Sequence, residues 1–326
     1  MQPTRSGRFA MAVKTRFANR ITKMLGVEYP IVQAPMGWIA RAQLASAVSN
    51  AGGMGIIETS SGELDAVRNE IRKMRELTDK PFGVNIAQAF VRDPDIIKFV
   101  IDQNVRFVTT SAGDPAKYCR ELKAAGLTVF HVIPTLRAAL KAVEAGVDGL
   151  IVEGGEGGGF KNPQPVSSMV LLPLVRENVD VPIIAAGGIA DGRTMAAAFA
   201  LGAEGVQMGT RMVSAAESPV HENWKRAIVA AAETDTVFLN QFSKPALRAL
   251  RTGKTSRLER EPGPNMMSEF GHAKDLYFGG DMEASIALSG QVCGRIDSVK
   301  TVAQIMRETV DDFFATMKGL SAAYAA

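Results

Sequence analysis

A chain of 326 residues with 46% hydrophobic and 22% charged side chains is long enough to bury one large core. Its 37 Lys and Arg against 34 Asp and Glu leave a net charge of +3, too small to mark a nucleic-acid partner. No apolar run approaches the roughly 18 residues of a membrane span, and two distant cysteines, Cys119 and Cys293, suit a reducing cytosol rather than a metal cluster.

The opening MQPTRSGRFAMAVKT is basic and lacks the apolar stretch of a secretory signal. It reads as a flexible tail over residues 1–13, with Met11 a second candidate start. Short β-branched runs then alternate with Ala-rich amphipathic stretches. The strand candidates are YPIVQAP from Tyr29, GGMGIIE from Gly52, PFGVNI from Pro81, VRFVTTS from Val105, TVFHVIP from Thr128, GLIVEGG from Gly149, PIIAAGG from Pro182 and GVQMGT from Gly205. Each has the length and apolarity of a buried parallel strand. Between them lie RAQLASAVSNAG, which stops on glycine, and SGELDAVRNEIRKMREL, which opens on cap-type residues at Ser61. DPAKYCRELKAAG follows, with Asp114 as N-cap and Pro115 at the first helical position. TLRAALKAVEAG, SSMVLLPLVREN and DGRTMAAAFALG repeat the pattern, and Pro173 predicts a kink or late start in the second of these. Eight strands, each followed by a helix, predict an α/β fold of the (β/α)8 TIM-barrel type. An open doubly wound sheet is the competitor, and the count of eight favours closure.

After Trp224 the pattern breaks. Residues 227–295 are helical in tendency but interrupted by charged, Gly- and Pro-rich runs such as RTGKTSRLEREPGPN. They predict a smaller, mainly helical inserted domain that serves as a lid on the substrate side. The barrel then comprises residues 14–226 and 296–326. It ends in the amphipathic stretch SVKTVAQIMRETVDDFFATMKGL, whose Phe313, Phe314 and Met317 are expected to pack back onto it.

Such a barrel carries its active site at the C-terminal ends of the strands. Those ends hold Ala34-Pro35-Met36-Gly37, Glu58 and Thr59, Asn85, Ser111, His131, the run VEGGEGGGFKN from Val152, Gly187-Gly188, and Gly209-Thr210. Five glycines within positions 154–159 rule out regular structure there and let backbone approach something flat or anionic. Gly187-Gly188 and Gly209-Thr210 close the seventh and eighth strands, where this fold often binds a phosphate on exposed amides; tight turns without a ligand are the alternative. The mouth offers no carboxylate pair at working spacing, no serine nucleophile and no metal cluster. That poverty suits a redox cofactor, which brings its own chemistry. Of the three histidines, His131 divides between packing and catalysis, His221 begins a helix in solvent, and His272 belongs to the irregular region, where lining a lid is the minority reading.

The stretches IVQAPMGWIARAQLASAVSNAGGMG, PFGVN, AGVDGLIVEGGEGGG, PIIAAGGIADGR and ALGAEGVQMGTR, in this order, resemble the nitronate monooxygenase (2-nitropropane dioxygenase-like) family. The likeness runs from about Arg16 to the C-terminus. That family includes FMN-dependent NADH:quinone reductases and is related to the flavin enoyl-acyl-carrier-protein reductases. The resemblance implies FMN in the barrel mouth, with Ala34, Pro35 and Met36 along the flavin ring and Asn85 bonding it. Gly187, Gly188, Gly209 and Thr210 would hold its phosphate. Glu153, Gly158 and Gly159 would lie beside the cofactor, and Phe160, His131 and Ser289 on the substrate side.

Many relatives place a histidine after the glycines, in a pattern like GGHxG; here Phe160 stands there, and Val132 stands where some relatives carry lysine. Phenylalanine exchanges no proton, so a general acid–base contribution of roughly 10²- to 10⁴-fold is lost at that position. No catalytic residue is therefore assigned. Oxidation of alkyl nitronates, already anionic, with O2 survives that loss and is the expected activity. The first alternative is reduction of a quinone or 2-enoyl thioester with NADH or NADPH as co-substrate. The basic stretch RALRTGKTSRLER would meet a coenzyme A or carrier phosphate. The second alternative is a non-catalytic FMN-binding barrel. The implied setting is cytoplasmic, with a small-molecule substrate, no nucleic acid and no membrane; a homodimer is compatible.

Overall fold

The computed structural model describes residues 17–61 and 64–325, so the expected tail and Met11 fall outside the described residues. Eleven strands occur in chain order: β1 Ile31–Gln33, β2 Gly55–Ile57, β3 Phe82–Ala87, β4 Phe107–Ser111, β5 Thr128–Ile133, β6 Gly149–Glu153, β7 Gly159–Lys161, β8 Ile183–Ala186, β9 Gly205–Met208, β10 Thr236–Leu239 and β11 Ala246–Leu250. Eight of them form one parallel sheet in the order β1-β9-β8-β6-β5-β4-β3-β2. A parallel bridge from Val32 to Met54 joins the two outer strands and closes the sheet into a (β/α)8 barrel.

Alternation along each strand sorts the core into two layers. Val32, Ile56, Phe107, Phe130, Ile151 and Ile184 point into the lumen, which Ile21, Leu25 and Val27 plug from below. The neighbouring positions, such as Val84, Val108, Val129, Leu150 and Val206, pack outward against the helices. Local signals act as their chemistry predicts. Asp191 forms a capping box with Thr194 at the head of Gly192–Ala200, and Thr135 caps Leu136–Glu144. Asp114 accepts from the Ala116 amide at the start of Ala116–Ala124. Pro173 neither delays nor ends its helix, which runs Ser168–Asn178. The last helix, Val302–Tyr324, supplies the outer layer between the helices Ala42–Asn50 and Gly192–Ala200. A Cβ on Gly192 would lie 2.6 Å from the Asp312 carbonyl carbon, so the close approach needs glycine. Phe313 is buried beside Phe17, Phe199 and Phe314, whereas Met317 is exposed, contrary to its expected packing.

The segment 227–295 is less helical than its sequence suggests. Beside short helices such as Gly253–Leu258 and Ala273–Tyr277 it contributes β10 and β11. These strands form an antiparallel sheet with β7, in the order β10-β11-β7, pairing Leu247 with Phe160 and Ala246 with Lys161. The glycine run, expected to carry no regular element, therefore ends in a strand. Val237, Leu239, Leu247, Ala249, Leu258, Met266 and Ile286 make a small core of this segment's own. Both cysteines are buried free thiols, pushed up by burial.

Candidate active site

The strand ends of β1, β8 and β9 form the first rim of the mouth. Gly187 and Gly188 have φ of +84° and +79°, values that side-chain-bearing residues rarely adopt. Among the described residues no acceptor takes the amides of Gly187, Gly188 or Gly209. A Cβ built on Gly188 would have the Ser168 hydroxyl, 3.6 Å away, as its nearest neighbour; one on Gly209 would have Ala34 Cβ at 3.5 Å. The space over both glycines is open. Thr210 is buried, and its hydroxyl accepts from the Gly290 amide at 2.9 Å, leaving its own proton to donate. Ala34, Pro35 and Met36 are half-buried beside this rim. Trp38 follows them with φ 59°, held by a bond from its amide to the Glu58 carboxylate and by edge contact with Tyr277. Glu58 is fully buried, pairs with Arg41 at 2.9 Å and also accepts from Ser60 and Ser61, so it braces this loop.

The lumen's upper layer is polar. Asn85 donates to the Thr109 hydroxyl at 2.9 Å, and Ser111 lies at 3.5 Å. Gln207, passed over in the sequence, also points inward, since Val206 and Met208 face the helices. Its Oε1 is buried without a partner among the described residues. A buried orphan of this kind costs about 1–3 kcal/mol unless something bonds it. An orphan amide in the lumen beside a rim of unengaged amides is what a flat, hydrogen-bonding ring with an anionic tail requires. The residues present thus fit a flavin.

The second rim is the glycine run after β6. A Cβ on Gly158 would lie 2.6 Å from the Ser289 carbonyl carbon, and one on Gly290 would lie 2.6 Å from the Glu156 carbonyl oxygen. Here glycine admits protein rather than ligand. The Gln291 amide donates to Glu156, and the Arg248 guanidinium donates to the Gly155 carbonyl at 2.9 Å and to Thr236 at 3.2 Å. Burial holds that guanidinium below its ordinary pKa. The Glu156 carboxylate caps the amide and hydroxyl of Ser168. Glu153 shares the lumen-facing side of β6 with Ile151 and forms an ion pair with Lys161.

Phe160 and Lys161 leave opposite faces of β7. Phe160 meets Phe90 at 5.1 Å and stacks on Phe270 at 5.9 Å, forming an aromatic wall that joins the turn after β3 to the segment 227–295. Two substrate-side expectations change. His131 faces the helix layer, because Phe130 takes the lumen side; it bonds Thr110 at 2.7 Å, and burial lowers its pKa to about 4. Val132 stands at the mouth instead. Ser289 is fully buried, with its hydroxyl accepting from the Trp224 indole at 3.2 Å. His221 begins the helix Glu222–Ala230, and His272 is exposed beside Asp275. The basic stretch from Arg248 is largely paired within its own surroundings: Arg251 with Glu259, Lys254 with Glu269 and Arg257 with Glu261. No group of three or more His, Cys, Asp or Glu side chains among the described residues could hold a metal.

The site is thus a closed (β/α)8 barrel mouth with unengaged amides at the ends of β8 and β9. The profile of the nitronate monooxygenase family matches residues 18–95 and 87–312, and the chain belongs to that family. It is similar, at 32% identity over 94% of this chain and 99% of the relative, to the (3aS,4S,5R,7aS)-5-hydroxy-7a-methyl-1-oxo-octahydro-1H-indene-4-carboxyl-CoA dehydrogenase of Mycobacterium tuberculosis. A nitronate monooxygenase of Paraburkholderia phytofirmans is 31% identical over 72% of this chain and 76% of its own. The structure of FabK from Thermotoga maritima superposes with a TM-score of 0.88 at 40% identity, covering 96% of this chain and 100% of that one. The chain is accordingly a flavin-dependent oxidoreductase. No described helix is long and apolar enough to cross a membrane.

Proposed function

We propose that this protein uses FMN to exchange a hydride and a proton with the α and β carbons of an acyl thioester, a coenzyme A ester with a bulky apolar acid being the best fit. The observation that carries this is the wall of Phe160, Phe90 and Phe270, which presents apolar aromatic surface at the mouth where a nitroalkane-deprotonating base would otherwise stand. Similarity over nearly its whole length to a coenzyme A thioester dehydrogenase supports the same reading. FMN would supply the electron-accepting ring. Gly187, Gly188, Gly209 and Thr210 would hold its phosphate, Asn85 and Gln207 its ring edge, and Ala34, Pro35 and Met36 would lie along it. Residues 227–295 would roof the mouth through the sheet shared with β7. NADH or NADPH would be the electron partner, in the cytoplasm.

A second reading, oxidation of alkyl nitronates with O2, is favoured by the family profile itself. It needs no proton removal, so Phe160 does not forbid it. Anaerobic mixing of the flavin-loaded protein separates the two. Octanoyl-CoA is expected to bleach the flavin, or 2-octenoyl-CoA to reoxidise flavin reduced by NADH or NADPH. Bleaching by propyl nitronate alone, followed by oxygen uptake once air is admitted, would overturn the thioester reading.

A further inference from the structure

We infer that Glu153 and Lys161 form the proton-exchange pair of this site, Glu153 trading a proton with the substrate's α carbon and Lys161 holding it in place. The inference rests on the thioester reading above. The other ionisable groups near the strand ends are committed elsewhere. Glu58 braces the loop after β1, and Glu156 caps Ser168. Arg248 holds the Gly155 carbonyl, and His131 faces the helix layer. Glu153 is different: it ends β6 on the lumen side, and 26% of its side chain remains accessible. Lys161 reaches the same carboxylate from β7 with only 3% of its side chain accessible. The carboxylate thus meets the mouth while the ammonium stands behind it.

Gly157 leaves the pair undisturbed. A Cβ there would lie 2.9 Å from Lys161 Nζ and 3.1 Å from Glu153 Oε1. The chain runs past the pair without a side chain, in a run whose backbone is pinned by Arg248 and by the segment at Ser289-Gly290. A proton-transfer group needs this kind of fixed placement. In the oxidising direction the Cα–H bond breaks and its proton passes to a Glu153 carboxylate oxygen. The released electron pair forms the second Cα–Cβ bond as the hydrogen on Cβ leaves with its two electrons, for which a bound flavin would be the acceptor. A nicotinamide nucleotide would be the final electron acceptor. Reduction runs the same transfers backwards, with Glu153 returning the proton to Cα. Lys161 is a positioning residue, and position 160 is free to be aromatic.

The test follows α-hydrogen exchange of octanoyl-CoA in D2O by NMR, anaerobically, beside FMN affinity measured by fluorescence on the apoprotein. Glu153→Gln is expected to slow exchange by about 10²-fold or more, within the range of general-base contributions. Lys161→Met should slow it about tenfold, and Lys161→Arg should recover most of that, with FMN affinity within about twofold in all three. Unchanged exchange in Glu153→Gln, or no exchange by the unaltered protein while octanoyl-CoA bleaches its flavin, overturns the inference and spares the thioester reading. So does loss of exchange that merely tracks loss of FMN, which would make the pair a cofactor clamp. A wild-type flavin that responds to neither octanoyl-CoA nor 2-octenoyl-CoA overturns the reading and the pair together.

Discussion

Two rims of one mouth are both built from glycine, and they use it for opposite ends. At Gly188 and Gly209 a Cβ would meet nothing closer than 3.5 Å, and the amides have no internal acceptor among the described residues. At Gly158 and Gly290 a Cβ would strike backbone at 2.6 Å. The first rim leaves room for a ligand; the second lets the inserted segment press against the loop. A glycine-rich stretch in a sequence is therefore two hypotheses, and only the neighbour that fills the missing Cβ decides between them.

The largest test of this contrast is Gly158→Ala. Its methyl has only backbone to displace, so overpacking is expected to cost about 3 kcal/mol. The cost should be visible as a lower melting temperature and faster proteolysis of residues 227–295. His131 marks the limit of the mouth between the rims. Its pKa of about 4 lies below the ordinary 6.5, so the fold favours the neutral ring. Its contribution is complete above pH 6.5 and is lost as pH falls towards 4, amounting to about 2 kcal/mol by pH 5. His131→Gln should flatten that acid limb of urea-measured stability without changing FMN affinity. Arg248→Met leaves the half-buried Gly155 carbonyl short of its donor and should cost about 1 kcal/mol. It should also loosen the loop, read as faster amide exchange over residues 154–161. Gly209→Ala should change stability by under about 0.5 kcal/mol, since its φ of −102° suits any residue, yet weaken FMN about tenfold by intruding on the open rim. A Gly209→Ala protein that melts early, or a Gly158→Ala protein that does not, would erase the distinction.

Much of the barrel was legible because its signals are local. Apolar runs of strand length, the cap at Asp114, and glycine after strands β8 and β9 each act within a few residues. What escaped depends on distance or on phase. The pairing of Phe160 with Leu247 joins segments far apart in sequence, and nothing in GGGFKN announces a strand. His131 sits in a strand apolar on both sides, so sequence alone could not say whether it or Phe130 faces the lumen; a shift of one residue inverts the answer. Ser289 reads as a polar side chain near a loop, and only its packing against Trp224 shows it to be structural. Gln207 had a visible signal: a lone amide side chain in an otherwise apolar strand end. Lys161 had one only in retrospect, as the residue on the opposite face from Phe160.

The sheet formed by β7, β10 and β11 has a mechanical consequence. Because β7 is covalently continuous with the β6 loop and paired through Gly159, Phe160 and Lys161 to β11, the inserted segment cannot swing away as a hinged flap while that ladder holds. A passage on this side would open through the rings of Phe90, Phe160 and Phe270, whose side chains rotate far faster than a sheet separates. The entrance would behave as a turnstile rather than a door, selecting on the thickness of what slides through.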